Sequence, residues 1–204
     1  ICNHPMVYRF DIDIFGLFRC AVCGLECLDP QPDDEKLGAI YDEAYFLGSG
    51  DKTTEKSMDN MKRSTALGYI ELLSAYVDID NPRLMEVGCG GGDFLATAKK
   101  NGYSVAGVEI SPTAVGDANR KLGEDVVIQG ELSSLDLLPL GKFDCCVLFD
   151  VIEHVRNPVM FLNSIKELLN DDGVCFIVTP SLDSWSAKVL GRHWMEYKPE
   201  HLFY

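Results

Sequence analysis

The chain has 204 residues, 47% of them hydrophobic, and carries 18 basic against 32 acidic side chains, for a net charge of −14. That apolar content excludes a disordered chain, and the acidic surplus argues against a protein that grips DNA or RNA by bulk charge. The longest apolar runs, at residues 145–149 and 174–178, span five positions, far short of the roughly 18–20 a membrane helix needs.

Residues 1–30 hold four of the eight cysteines and show no helical pattern. Residues 1–30 show no secretory-signal pattern, so their cysteines are expected to be reduced thiols or metal ligands of a cytoplasmic protein rather than a disulfide framework. Cys20-Ala21-Val22-Cys23-Gly24 has the spacing of a zinc knuckle, two thiolates gripping one ion with a glycine free to turn left-handed. Cys2-Asn3 reads as the end of a second knuckle whose first cysteine precedes Ile1, so the sequence is expected to be part of a longer chain. Residues 1–30 are therefore expected to form a zinc-ribbon-like lobe with Cys2, Cys20 and Cys23 as ligands and Cys27 or His4 as an alternative fourth. The plain alternative is a set of incidental reduced cysteines. Residues 31–60 read as an acidic linker or lid, with Asp33-Asp34-Glu35 a solvated loop.

From residue 61 short apolar runs alternate with amphipathic stretches. The pattern predicts a helix over residues 60–77, a strand at Arg83–Val87, a helix over 93–101 and a strand over 104–110. Ser111-Pro112, an N-cap followed by proline at the first helical position, opens a helix to about residue 122. Strands follow at 125–128 and 143–149, then a helix opened by Asn157-Pro158 to about 169, and a strand over 173–179. Alternation of this kind implies a doubly wound α/β architecture, a mostly parallel sheet with crossover helices on both faces. Cys89, Cys145, Cys146 and Cys175 fall in these elements and are expected to pack as small apolar residues. Trp185, Trp194, Tyr197 and Phe203 pack a surface helix or wall the acceptor.

The strongest motif is Glu86-Val87-Gly88-Cys89-Gly90-Gly91-Gly92-Asp93. Four of the five positions 88–92 are glycine, between a strand and a helix, so the backbone can turn sharply and a ligand can approach closely. The spacing is G-x-G-x-G, with Asp93 where a dinucleotide fingerprint has its third glycine, and no phosphate-loop Gly-Lys-Ser/Thr follows. Glu109, closing the next strand, can accept hydrogen bonds from two ribose hydroxyls, of a dinucleotide or of any adenosine ligand.

Residues 86–94, 105–111, 143–155 and 173–180 together resemble the successive motifs of class I S-adenosylmethionine-dependent methyltransferases, and FDCCVLFDVIEHVRNP resembles the branch that methylates quinones and sugars. The resemblance implies a Rossmann-like fold of seven strands, of which five are readable here. It implies that Gly88, Gly90 and Gly92 cradle the methionine part of S-adenosylmethionine, that Glu109, with Ile110 beside it, holds the ribose, and that Glu131 and Leu132 lie along the adenine. Asp150 would lie near the methyl group. The cofactor is a sulfonium cation, so Glu86, Glu109, Glu131 and Asp150 suit it, whereas a pyrophosphate would be repelled. Some relatives carry a small zinc lobe and a Tyr-x-x-x-Tyr linker, which here corresponds to Tyr41 and Tyr45.

Asp150-Val151-Ile152-Glu153-His154 follows the fourth strand of the sheet. His154 reads in three ways: a helix-end residue bonded to a neighbouring loop, a general base for a substrate hydroxyl, or a divalent-metal ligand with Asp150 and Glu153. For that last role the resemblance points to a distant histidine, here His201. The expected function is methyl transfer to a small-molecule acceptor at oxygen or carbon, with His154 as base, Asp150 near the methyl, and Tyr45 and His201 on the acceptor side. An RNA-modifying enzyme using the zinc lobe, and a non-catalytic cofactor-binding module, are the rival readings.

Overall fold

The computed structural model describes residues 4–40, 52–132 and 140–204. The chain divides into two compact units, one of residues 1–48, 150–159 and 178–204, the other of residues 49–149 and 160–177.

In the first unit the alternation along Met6-Val7-Tyr8-Arg9-Phe10-Asp11-Ile12 makes a strand, β1 (Met6–Ile12), by the period of two that puts successive side chains on opposite faces. β2 (Phe15–Cys20) and β3 (Glu26–Asp29) complete an antiparallel sheet in the order β1-β2-β3. Ile12, Phe15, Leu17 and Leu28 form its core, with Phe10, Tyr197 and Tyr204 packed against them. The 202–204 segment lines the free edge of β3: Leu28 N–H donates to the Leu202 carbonyl at 3.1 Å, and Glu26 and Tyr204 exchange backbone bonds at 3.1 and 2.9 Å. The expected solvated loop at Asp33-Asp34-Glu35 is instead structured. The Asp33 carboxylate caps α1 (Asp34–Ile40) by accepting from Lys36 N–H at 2.8 Å, and Asp34 pairs with Arg156 at 2.6 Å.

In the second unit α2 (Lys52–Ser74) begins well before the expected residue 60, because its first turns are polar and carry no apolar period. β4 (Arg83–Val87), α3 (Asp93–Lys100), β5 (Ser104–Glu109), α4 (Pro112–Leu122), β6 (Val127–Gln129), β7 (Phe143–Phe149), α5 (Pro158–Leu168) and β8 (Leu169–Val178) follow. The sheet order is β6-β5-β4-β7-β8, with β4 parallel to both β5 and β7, and β5 parallel to β6. Strand order therefore reverses beside β4, which is where open α/β sheets bind ligands. Leu84, Leu95, Ala98, Ala118, Cys145 and Val147 are among the core residues. Cys89, Cys145 and Cys146 are buried as expected, whereas Cys175 is exposed. No helix among the described residues is long and apolar enough to cross a membrane. The last helix is α6 (Trp185–Leu190), in the first unit.

Candidate functional site

The glycine loop leaves β4 and is tied to β5 at once. Gly88 and Cys89 N–H both donate to the Val108 carbonyl, at 2.8 and 3.3 Å. Gly88, Gly90 and Gly92 have φ of +72°, +49° and +74°, the left-handed region that costs an L-residue roughly 1–2 kcal/mol. Gly92 also has no room for a side chain: a Cβ there would lie 2.9 Å from that of Ala118. At Gly90 a Cβ would meet nothing within 4 Å, so space over the loop is open. Gly92→Ala is accordingly expected to cost about 3 kcal/mol of stability, strain plus overpacking, in a urea melt. Gly90→Ala should cost only about 1 kcal/mol and be felt in ligand affinity instead.

Glu109 is buried, and both its oxygens are in use. Gly90 N–H donates to Oε2 at 2.8 Å and Ser111 N–H to Oε1 at 2.9 Å. A carboxylate offers about four lone-pair directions, so each oxygen retains one for a further donor such as a ribose hydroxyl. Gly130 N–H donates to the Glu109 backbone carbonyl at 2.9 Å, which brings the loop after β6 alongside. There Glu131 is exposed and Leu132 buried, and Ile110 is left 53% exposed beside Glu109. Gly88, Gly90, Gly92, Glu109, Ile110, Glu131 and Leu132 thus share the carboxyl edge of β4, β5 and β6.

Glu86 lies within β4 rather than on the loop surface. It is buried, and its Oε2 has no hydrogen-bond partner. Burial, then the charges of Asp93 and Glu109, push its carboxyl well above the usual carboxylate range, against a Leu95 N–H bond that favours the anion. Because the folded pKa lies above the unfolded one, the stability it contributes is full below the unfolded value, near 4.5, and is lost as pH rises through the folded value. Glu86→Gln should therefore match the wild type in thermal stability near pH 4 and exceed it at pH 7–8, as read by calorimetry across that range.

The second group lies in the first unit. Asp150 follows β7 with φ +52° and is exposed, its carboxyl raised by partial desolvation and by Glu196, against His154 and Lys198. Glu153 and His154 sit in a short 3-10 turn, Ile152–His154. His201 is brought back to them by backbone bonds, Leu202 N–H donating to the Glu153 carbonyl at 2.8 Å. The two imidazoles meet edge-on with centroids 4.7 Å apart. His154 Nδ1 lies 2.9 Å from the Glu200 carbonyl. A carbonyl can only accept, so Nδ1 carries the proton and Nε2 presents its lone pair. Burial lowers the pKa of His154, and burial with His154 and Lys198 lowers that of His201 to about 4, so both rings are neutral at pH 7.

Glu153 is the centre of this group. It is buried, neither carboxylate oxygen completes a hydrogen bond, and His201 Nδ1 is likewise unpartnered. Burial raises the Glu153 carboxyl, only partly offset by the nearby Glu153 N–H and Thr179 hydroxyl, neither of which closes to a full hydrogen bond. One ligand-type atom from each of Glu153, His154 and His201 lies within 4.8 Å of the others. Orphaned buried acceptors are costly unless something satisfies them, and two neutral imidazoles with a carboxylate suit a divalent cation. Of the residues expected around a divalent ion, Glu153, His154 and the distant His201 come together, while Asp150 is exposed and lies outside the group. The Glu200 carbonyl that fixes the His154 tautomer carried no side-chain signal in the sequence.

Cys20 is buried and Cys23 exposed. The N–H groups of Val22 and Cys23 both donate to Cys20 Sγ at 3.4 Å, and Gly24, at φ +78°, donates to the Cys20 carbonyl. A tight turn is therefore formed at residues 20–24, at the end of the sheet where Met6 pairs with Cys20. Among the described residues no group of three metal-ligating side chains includes these cysteines. Cys27 instead sits in β3 opposite Phe18. Cys2 and Tyr45 lie outside the described residues.

An open, mostly parallel sheet with a glycine loop after one strand and a tethered carboxylate after the next defines an α/β domain that binds ligands at its strand ends. The chain matches the methyltransferase-domain family over residues 60–204 and belongs to it. It is 26% identical over 143 residues to a ubiquinone biosynthesis O-methyltransferase of Cereibacter sphaeroides (strain ATCC 17025 / ATH 2.4.3), covering 68% of this chain and 58% of that protein. The chain thus spans a little over half the length of such relatives. The fold is similar to magnesium protoporphyrin IX methyltransferase from Synechocystis PCC 6803, at TM-score 0.59 and 18% identity over 78% of this chain and 77% of that one. It is also similar to CalS10, an amino pentose methyltransferase from Micromonospora echinaspora, at TM-score 0.55 and 20% identity over 66% and 59%.

Proposed function

We propose that this chain transfers a methyl group from S-adenosylmethionine to a small-molecule acceptor, at an oxygen or carbon of a sugar, quinone or similar metabolite. The observation that carries the reading is the buried Glu109 carboxylate, tethered to Gly90 and Ser111 N–H with lone pairs to spare. The names of the relatives, a ubiquinone-pathway O-methyltransferase and an amino pentose methyltransferase, support the acceptor class. When bound, S-adenosylmethionine supplies an electrophilic methyl on a cationic sulfur. Gly88, Gly90 and Gly92 leave room for its methionine part, Glu109 accepts from its ribose, and Glu131 and Leu132 flank its adenine. The protein's contribution is chiefly alignment for in-line attack. Asp150 favours the cation, and His154 Nε2 takes the proton of an acceptor hydroxyl, with Tyr45 and His201 on the acceptor side. The test is calorimetry with S-adenosylhomocysteine and NAD on the purified full-length protein. Saturable binding of the first and none of the second is expected; no binding of S-adenosylhomocysteine overturns the reading in favour of a non-catalytic module. Specific RNA binding with a steep salt dependence overturns the acceptor class.

The orphaned oxygens of Glu153 favour an alternative to His154 as base, a divalent cation held by Glu153, His154 Nε2 and His201. Bound there, it would polarise an acceptor hydroxyl. Cobalt(II) added to the metal-free protein is expected to give the visible absorption of a nitrogen- and oxygen-ligated ion, and Glu153→Ala to weaken its binding at least 30-fold. Unchanged absorption in that variant removes the cation from the reading. The two amides aimed at Cys20 Sγ support a structural zinc on Cys20, Cys23 and Cys2. One zinc per chain by elemental analysis, lost in Cys20→Ser, is the expected result.

A further inference from the structure

Against a net charge of −14, one face of the second unit is basic. Lys62, Arg63, Lys99, Lys100 and Lys121 surround a cleft of about 590 Å³ between α2, α3 and α4, with Asp93 the one acid in its lining. Three of these cations are held in place. Lys62 and Lys121 both pair with Asp93, and Lys99 donates to the Leu122 carbonyl at 2.9 Å and pairs with Glu124 at 2.5 Å. Arg63 and Lys100 make no ion pair among the described residues. Among the described residues, five cations face two carboxylates here, a surplus of three positive charges.

We propose that this cleft binds a compact polyphosphate group, as carried by a nucleoside triphosphate or a comparable phosphorylated metabolite. The volume falls in the ~300–1,000 Å³ range of small-molecule sites. Charge range decides between a small and an extended anion. Screening confines interactions to about 8 Å at physiological salt, so a compact anion senses the local surplus. A nucleic acid running beyond the cleft meets the acidic remainder of the surface. Fixed lysines lower the ordering cost of binding, and Arg63 and Lys100 supply donors with no ion-pair partner among the described residues. The cleft also touches the glycine loop, since Lys121 Nζ would be 3.7 Å from a Cβ on Gly91.

Calorimetric titration of the full-length protein with inorganic tripolyphosphate at low salt tests this, with a single-stranded 12-mer oligonucleotide as a parallel arm. Saturable 1:1 binding of tripolyphosphate, weakened at least tenfold in Arg63→Glu/Lys100→Glu with an unchanged melting temperature, is the expected result. Absence of saturable heat, equal affinity in the variant, or tighter binding of the oligonucleotide than of tripolyphosphate each overturns the proposal. Should the double variant fail to fold, Arg63→Gln/Lys100→Gln is read by the same criteria.

Discussion

Glu109→Ala is expected to weaken S-adenosylhomocysteine binding by at least 100-fold in a calorimetric titration, and to cost about 3 kcal/mol or more of stability. Two backbone donors, Gly90 and Ser111 N–H, end on this carboxylate. Hydrogen bonds to a charged acceptor contribute about 1.5–3 kcal/mol each, and the substitution removes both tethers together with the acceptor proposed for the ribose. A factor of 100 is about 2.7 kcal/mol, the value of roughly one such ligand bond. Glu109→Gln is the informative companion: it keeps one acceptor oxygen, so it should retain one tether and lose less. Equal affinity in wild type and Glu109→Ala would remove the ribose from this residue.

Glu26→Ala is the change expected to damage the first unit most, by about 3 kcal/mol. Glu26 is fully buried. Its Oε1 accepts from Arg9 at 2.6 Å and Arg19 at 3.2 Å, and its Oε2 from the Tyr197 hydroxyl at 2.9 Å. Breaking a buried pair from one side costs roughly 3–5 kcal/mol because the partners lose their counter-charge; the lower figure applies because both arginines keep part of their solvent. The Tyr197 phenol, raised by burial and by Glu26, would be left without its acceptor. Trp194 is a local reporter, since it is buried with its ring 5.4 Å from that of Tyr197. Its fluorescence should report an earlier urea midpoint in the variant. If the two midpoints coincide, Glu26 is not what fastens this unit.

Legibility in the sequence followed the physics of each element. Arg83–Val87 and Phe143–Phe149 are read to the residue, because a strand buried on both faces is a short, mostly apolar run between turn signals. The Ser111-Pro112 start of α4 was equally clear, with Ser111 Oγ accepting from Ala114 N–H. α2 began early and β8 began at Leu169 rather than 173, since polar runs such as Asn170-Asp171-Asp172 carry no period that marks their structure. The three-stranded sheet under the cysteines escaped, although the alternation at residues 6–12 was a usable sign. In the site, the glycine loop and Glu109 declared themselves by spacing. The meeting of His201 with Glu153 and His154 did not, because it rests on main-chain bonds between segments 48 residues apart, from 153 to 201.

The strand edge of β3 has a history during synthesis. Its partners at 202–204, bridged through Cys27 and Phe203, lie some 170 residues downstream. At ~5–20 residues per second, that edge stands open on the ribosome for on the order of 10 s or more. An unpaired edge is an adhesive template. Until its partners emerge, residues 202–204 cannot shield β3, and the His201 arm cannot dock. This lobe is thus finished long after its own strands are made, and a chain stopped before residue 201 would leave the ribosome with both an open edge and an incomplete histidine pair.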